Sequence, residues 1–353
     1  MSDKIAKNPR LGTVGGQAVM EGVMMKSKDS VAISVRRGNG EIVKKLKGHT
    51  ALIDKYKLSK VPLVRGFINF IDMMKLAMGT LTEAAEMVGF DDEGETAGEE
   101  NTQENVGNAA AQPDAGGAQA NKKKEDSKMI AAAAAVGVAL GLALSFALFF
   151  FLPTFIGSAI ESAVTDGGDA ALHPALRSMF EGVVRLAIFI AYILLVSQVP
   201  DIKRTFEYHG AEHMSIYAYE QNEELTVENA RRYPRFHPRC GTSFLIIMIL
   251  IGFVVGMILP SDELWLRLAT RLAIFPVVIG VAFEFIKFAG KHSDNIIVKI
   301  ISAPGIWVQR LTTRRPNDEQ LEVAVASLKL ALKLETVEES DDEHNAEIEA
   351  GGD

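Results

Sequence analysis

The sequence has a single cysteine, Cys240, among its 353 residues. No intrachain disulfide can therefore brace the fold, and a zinc site made of cysteines alone is excluded. Basic residues are missing from two stretches. Asp91–Ala120 and Glu335–Asp353 together hold 17 of the 45 acids and none of the 37 bases. Both are rich in small and polar residues and poor in large apolar ones, so neither buries enough surface to offset its ordering entropy. Both are expected to be disordered. The formal net charge of −8 argues against a nucleic-acid ligand. Yet outside the two acidic stretches 28 acids face 37 bases, a net basic remainder. No Walker or dinucleotide-binding pattern follows the glycine-rich run Gly15–Gly22, and Met1–Arg10 carries no signal-peptide pattern.

Charge of either sign is missing from Met129–Leu152, a run long enough to cross the roughly 30 Å of bilayer hydrocarbon at about 1.5 Å per residue. Three further spans are expected at Met179–Val199, Gly241–Leu259 and Leu264–Ile286. Glu181 and Arg185 stand four apart in the second and are able to pair on one face. Pro276 should kink the fourth, which Arg267, Arg271 and Glu284 interrupt.

Basic residues gather before the first span (Lys122, Lys123, Lys124, Lys128), in the loop Pro200–Thr242, and after the fourth span. The opposite loops hold only Arg177. The positive-inside rule then places both termini and the 200–242 loop in the cytoplasm.

The expected fold class is mainly α, a polytopic membrane protein of about four transmembrane helices with a small N-terminal β-containing domain. Residues 1–60 form that β-rich domain, with Gly38-Asn39-Gly40 turning a hairpin between Val31–Arg37 and Glu41–Lys47. Residues 61–90 read as an amphipathic helix at the membrane interface, since Arg65, Asp72 and Lys75 argue against a fifth span. An acidic linker (91–128) leads to the membrane domain (129–290). A C-terminal region (291–334) follows, with Trp307 as an interfacial anchor and a helix capped by Asn317 or Asp318, and then the acidic tail (335–353).

The 200–242 loop carries the chemistry. Three of the seven histidines and the only cysteine fall within it: His209, His213, His237 and Cys240. His209-Gly210-Ala211-Glu212-His213 puts two imidazoles one helical turn apart, where both can reach one divalent ion with Glu212 beside them. Ile202, Phe206, His209, His213 and Ile216 recur at three or four residues, which assigns both histidines to the buried face. His237-x-x-Cys240 is a second common ligand spacing. Pro200 allows the second span to break so that the two pairs meet.

Three readings remain open on these residues: histidines that only hydrogen-bond carbonyls, a structural or catalytic metal, and Cys240 as a nucleophile. Thr242 and Ser243 read as caps of the third span. H-x-x-E-H also resembles the inverted zinc-peptidase signature, which implies His209 and His213 as ligands and Glu212 as general base. Those peptidases use a distant glutamate ligand as well, for which Glu284, at membrane depth, is the candidate.

Several blocks together resemble the YqhQ-like family of bacterial multi-pass membrane proteins. They are GGQAVMEGVMM (15–25), PLVRGF (62–67), FEYHGAEH (206–213), HPRCGTSF (237–244) and PGIWVQRLTTRRPNDEQLEVAVASLK (304–329). That family is described as predicted metal-dependent enzymes. The resemblance implies a membrane location and a divalent metal, zinc by its donors, at His209, His213, His237 and Cys240, with Glu212 on a matching block. The expected partners are the lipid bilayer and a membrane-protein or lipid-linked substrate. Two functions stand side by side: a metal-dependent hydrolase at the membrane face, and a non-enzymatic scaffold or assembly factor.

Overall fold

A computed structural model describes residues 9–55, 61–89, 136–137, 139–164, 173–259, 263–292 and 295–336. The two acidic stretches and the lysines before the first span lie outside these residues, apart from the first two positions of the C-terminal stretch. The protein is mainly α with one small antiparallel sheet, as its patterning predicts, and the chain forms two compact units.

The first unit takes in the described residues up to 89, 190–252 and 270–336. It opens with four strands in sequence order: β1 (Gly15–Val19), β2 (Gly22–Lys26), β3 (Ser30–Arg36) and β4 (Ile42–Gly48). The 38–40 turn closes where expected, with Gly40 at φ +89° and its N–H donating to the Arg37 carbonyl at 2.9 Å. The strands β2 and β3 are buried on both faces because helices cover both. Val23, Met25 and Ala32 join a core with Tyr208, Ala211, Leu321, Ala324 and Leu328. Met24, Val31, Ile33 and Val35 point the other way, toward Ala84, Leu76 and Met87.

The helix behind that second face is α1 (Pro62–Val88). The sequence reads it as an interfacial helix, a placement that the contacts of the chain do not address; they give it two tasks of their own. Its C-terminal half covers the sheet through Ala84, Met87 and Val88, while near its start Arg65 Nε donates to Glu284 at 2.6 Å.

In the second unit, α2 (Leu152–Val164) continues a helix through a π-helical turn at Ala147–Phe151, so that Ala139–Val164 is one apolar run of membrane-spanning length. The span expected to stop at Leu152 therefore continues through Pro153. Proline has no N–H to give the Phe149 carbonyl, and Arg185 Nε donates to that carbonyl at 2.9 Å. Among the described residues of this unit, two ion pairs lie inside it. Arg267 donates to buried Glu181 at 2.9 Å, and Arg177 pairs with Glu161. The pairing of a charge within hydrocarbon is what makes its burial tolerable.

Besides a single helical turn at Leu52–Lys55, the other described helices are α3 (Pro174–Val196), α4 (Pro200–Glu220), α5 (Val227–Arg231), α6 (Gly241–Ile258), α7 (Leu264–Lys291), α8 (Ile296–Thr312) and α9 (Asp318–Ala331). Among the described residues, four runs are long and apolar enough to cross a membrane: Ala139–Val164, Ala175–Val196, Gly241–Ile258 and Trp265–Gly290. The break before α4 falls where Pro200 forces it, with Val199 extended at ψ 127°. Asn317 caps α9 in a reciprocal capping box with Gln320. Wedged between the sheet and α4, α9 is buried along most of its length, and Ser327 Oγ donates to the Val23 carbonyl at 2.9 Å.

Candidate metal centre

The middle of α4, Tyr208 to Ile216, is buried on nearly every side. Two glycines explain how backbone comes so close. At Gly210 a Cβ would strike the Arg314 carbonyl, and the Arg314 N–H donates to the Phe206 carbonyl at 2.8 Å, so the chain leaving α8 lies directly across α4. At Gly16 a Cβ would come within 2.9 Å of Glu212 Oε1, so β1 presses on the carboxyl from the other side.

His209, His213 and Cys240 offer ligand atoms that all lie within 4.8 Å of one another. His209 Nδ1 is 2.9 Å from the Thr312 carbonyl, and His213 Nδ1 is 2.5 Å from the Arg235 carbonyl. A carbonyl only accepts, so both Nδ1 atoms carry the proton and both Nε2 atoms present a lone pair. His209 Nε2 lies 3.2 Å from Cys240 Sγ. Imidazoles bound to metals are held in this way, with one nitrogen anchored to a carbonyl and the other free to bind.

Electrostatics suit the same use. Burial, then the neighbouring His209, lowers the pKa of His213 and keeps its ring neutral. Burial alone would raise the Cys240 thiol, but His213 beside it and the Thr242 donors outweigh that and favour the thiolate. The Thr242 hydroxyl is 3.1 Å from Sγ and its N–H donates to the sulfur at 3.4 Å. Thr242, in the first turn of α6, thus serves the cysteine. Ser243 Oγ accepts from Gln309 Nε2 at 2.8 Å.

Glu212 is buried, and its carboxyl makes no hydrogen bond to any described residue. Burial pushes it up to about 7, with His209 and Cys240 near enough to bear on its charge in opposite senses.

Two of the expected ligands are not brought to this group. The ring of His237 lies 5.6 Å from that of His213, centroid to centroid. Its Nδ1 accepts from the Arg239 N–H at 3.3 Å, and its Nε2 lies 3.4 Å from Glu220 Oε2. Both ring nitrogens are therefore engaged elsewhere. Glu220 is held by a separate set of donors: Arg239, His237 and the Gly12 N–H at 3.0 Å. Burial opposes ionisation of Glu220, but the His237 hydrogen bond and Arg239 prevail and hold it below the usual carboxylate range. Glu284 is the second residue left out, since it takes Arg65 from α1.

The sequence did not point to the residues that fix the ligands. The Thr312 and Arg235 carbonyls are backbone atoms without a side-chain signal. Gln309 receives the His237 N–H at 2.7 Å and returns its own N–H to the His237 carbonyl at 2.8 Å. Its only hint was a polar residue in a largely apolar helix that also carries Lys299 and Arg310.

Comparison with known proteins gives the family of the chain. Residues 61–334 match the family described as "Protein of unknown function (DUF1385)". The chain is 35% identical over 327 residues to "Uncharacterized protein YqhQ" of Bacillus subtilis (strain 168), covering 92% of this chain and 94% of the relative. No solved structure matches. With four helices of membrane-spanning character and a His/Cys group within the matched segment, the chain belongs to the DUF1385 family, alongside YqhQ.

Proposed function

We propose that the protein is a metal-dependent hydrolase of the bacterial cell membrane, with its sheet domain and catalytic group on the cytoplasmic side. The one observation that carries this reading is the shared anchoring of His209 and His213. Two backbone carbonyls turn both Nε2 lone pairs toward Cys240 Sγ. Three donors of the His2Cys type suit zinc and leave its fourth position open, as catalytic zinc sites do. Zinc would supply Lewis acidity to a peptide or lipid-linked substrate.

The chain supplies the proton chemistry. Glu212, next in sequence to His213 and without a hydrogen-bond partner among the described residues, takes a proton from the attacking water at a carboxylate oxygen. It returns that proton to the leaving group, so hydrolysis consumes one water and leaves the enzyme unchanged. Orientation follows the positive-inside rule, by which the six lysines and arginines of the 200–242 loop, against Arg177 alone in the opposite loops, assign the site and both termini to the cytoplasm.

Metal content of detergent-purified protein, alongside hydrolysis assays on candidate substrates, tests the reading. Wild type should carry one zinc per chain, and Glu212→Gln should keep the zinc but lose turnover by roughly 100-fold or more, the usual scale for a general base. Wild-type turnover in that variant would refute the mechanism.

A second reading is favoured by burial. His213 and Cys240 are only 2% and 6% exposed, as in a metal that ties α4, the 235–240 turn and α8 together in a non-enzymatic scaffold. In that case Glu212→Gln would change no activity, and metal removal would lower the melting temperature.

A further inference from the structure

A cleft of about 460 Å³ opens beyond the C-terminal end of α3, lined there by Ser197 and Gln198. Four arginines converge on it: Arg235, Arg310, Arg314 and Arg315. The single acid in its wall, Glu207, already accepts from Gln320 Nε2 at 3.0 Å.

The guanidinium groups have donors to spare. The Nε atoms of Arg235 and Arg314 are both buried without a hydrogen-bond partner among the described residues. Arg314 Nη2 reaches only the Ser197 carbonyl, at 3.5 Å. Arg235 lies over the Phe236 ring at 4.9 Å, a contact that uses its face and leaves its edge donors free. A buried cationic donor without an acceptor is costly, and a ligand with several anionic oxygens would relieve two at once.

The position of the cleft indicates where such a ligand comes from. It lies at the end of the apolar run Ala175–Val196. It also lies at the end of α8, whose Ile296, Ile297, Ile300 and Trp307 are exposed along one side. An amphipathic helix with an uncovered apolar face and an aromatic anchor lies at the level of lipid headgroups.

We propose that this cleft binds the phosphate of an anionic membrane lipid, clamped by Arg235, Arg310 and Arg314. Planar guanidinium forks match phosphate oxygens in pairs, and the volume admits a glycerol-phosphate headgroup while its acyl chains run along α3. The site does not depend on a bound metal, although Arg235 belongs to both regions through its carbonyl on His213.

The test uses full-length protein in neutral detergent, delipidated and titrated in separate arms with phosphatidylglycerol, phosphatidylcholine and inorganic phosphate. Binding is read by native mass spectrometry. Wild type should retain phosphatidylglycerol over phosphatidylcholine and bind inorganic phosphate far more weakly. The double variant R310Q/R314Q should bind phosphatidylglycerol roughly 30-fold more weakly, as expected for two basic residues at an anionic surface. R315Q, at an exposed position, should lose about fivefold and serves if the double variant does not fold. R231Q/R232Q removes the same charge at an exposed site outside the cleft and should bind as wild type does. Equal binding by wild type, R310Q/R314Q and R315Q would overturn the proposal, and so would an equal loss in R231Q/R232Q. Inorganic phosphate binding as tightly as the lipid would overturn the lipid as the source.

Discussion

Two histidine environments lie side by side in this fold and have been given opposite roles by their hydrogen bonds. His209 and His213 each give the Nδ1 proton to a backbone carbonyl and keep Nε2 free. His237, a ring-to-ring 5.6 Å from His213, has Nδ1 occupied by a backbone N–H and Nε2 facing the Glu220 carboxylate. All three belong to motif spacings that suit a metal. What separates them is the chemistry of the neighbour: a carbonyl at Nδ1 leaves the Nε2 lone pair able to bind a metal, whereas an N–H at Nδ1 uses up the lone pair there. Residue type and spacing are necessary for a metal site, and the tautomer decides which histidines take part.

The comparison breaks most sharply on the ligand side. His213→Ala should remove bound zinc altogether, read as metal per chain by mass spectrometry, whereas His237→Ala should leave it close to the wild-type ratio. Equal loss in both would return His237 to the ligand set. A smaller effect is expected from Glu220→Gln, which weakens the contacts to Arg239, His237 and Gly12. Its cost should be roughly 1–3 kcal/mol of stability, visible as a lower melting temperature with metal content unchanged. Glu284→Gln sharpens the contrast further. It loosens the tie between α1 and α7 and should leave zinc unaffected, with activity within about twofold of wild type if the carboxylate has no part in the site. The smallest change should come from Arg232→Ala, which removes an exposed pair with Glu228 one turn away and should shift stability by less than about 0.5 kcal/mol.

Much of this architecture is legible along the chain. Uncharged runs mark the membrane helices because hydrocarbon penalises charge at every position, and the Gly38–Gly40 turn announces its hairpin locally. His209 and His213 are recognisable by helical spacing, and Cys240 by its spacing from His237. What stayed hidden depended on partners far away in sequence. Nothing near His237 shows that Glu220 will be held in place by Gly12, more than 200 residues upstream. Glu284 stood out as a charge at membrane depth, but the Arg65 that meets it lies on a helix that the spacing rules place at the interface. At Pro153 the local signal was misleading, because a π-helical turn lets the helix pass a residue that usually ends one.

The carbonyls of Thr312 and Arg235 have a consequence for genetics. Because the acceptors that orient the two histidines are main-chain atoms, replacing either side chain leaves the acceptor in place. A survey of point substitutions would score positions 312 and 235 for packing and charge and overlook their part in the site. The informative lesion is a change in chain length: one residue inserted between Gln309 and Arg314 would displace the Thr312 carbonyl, turn His209 loose, and leave every ligand present but unaimed.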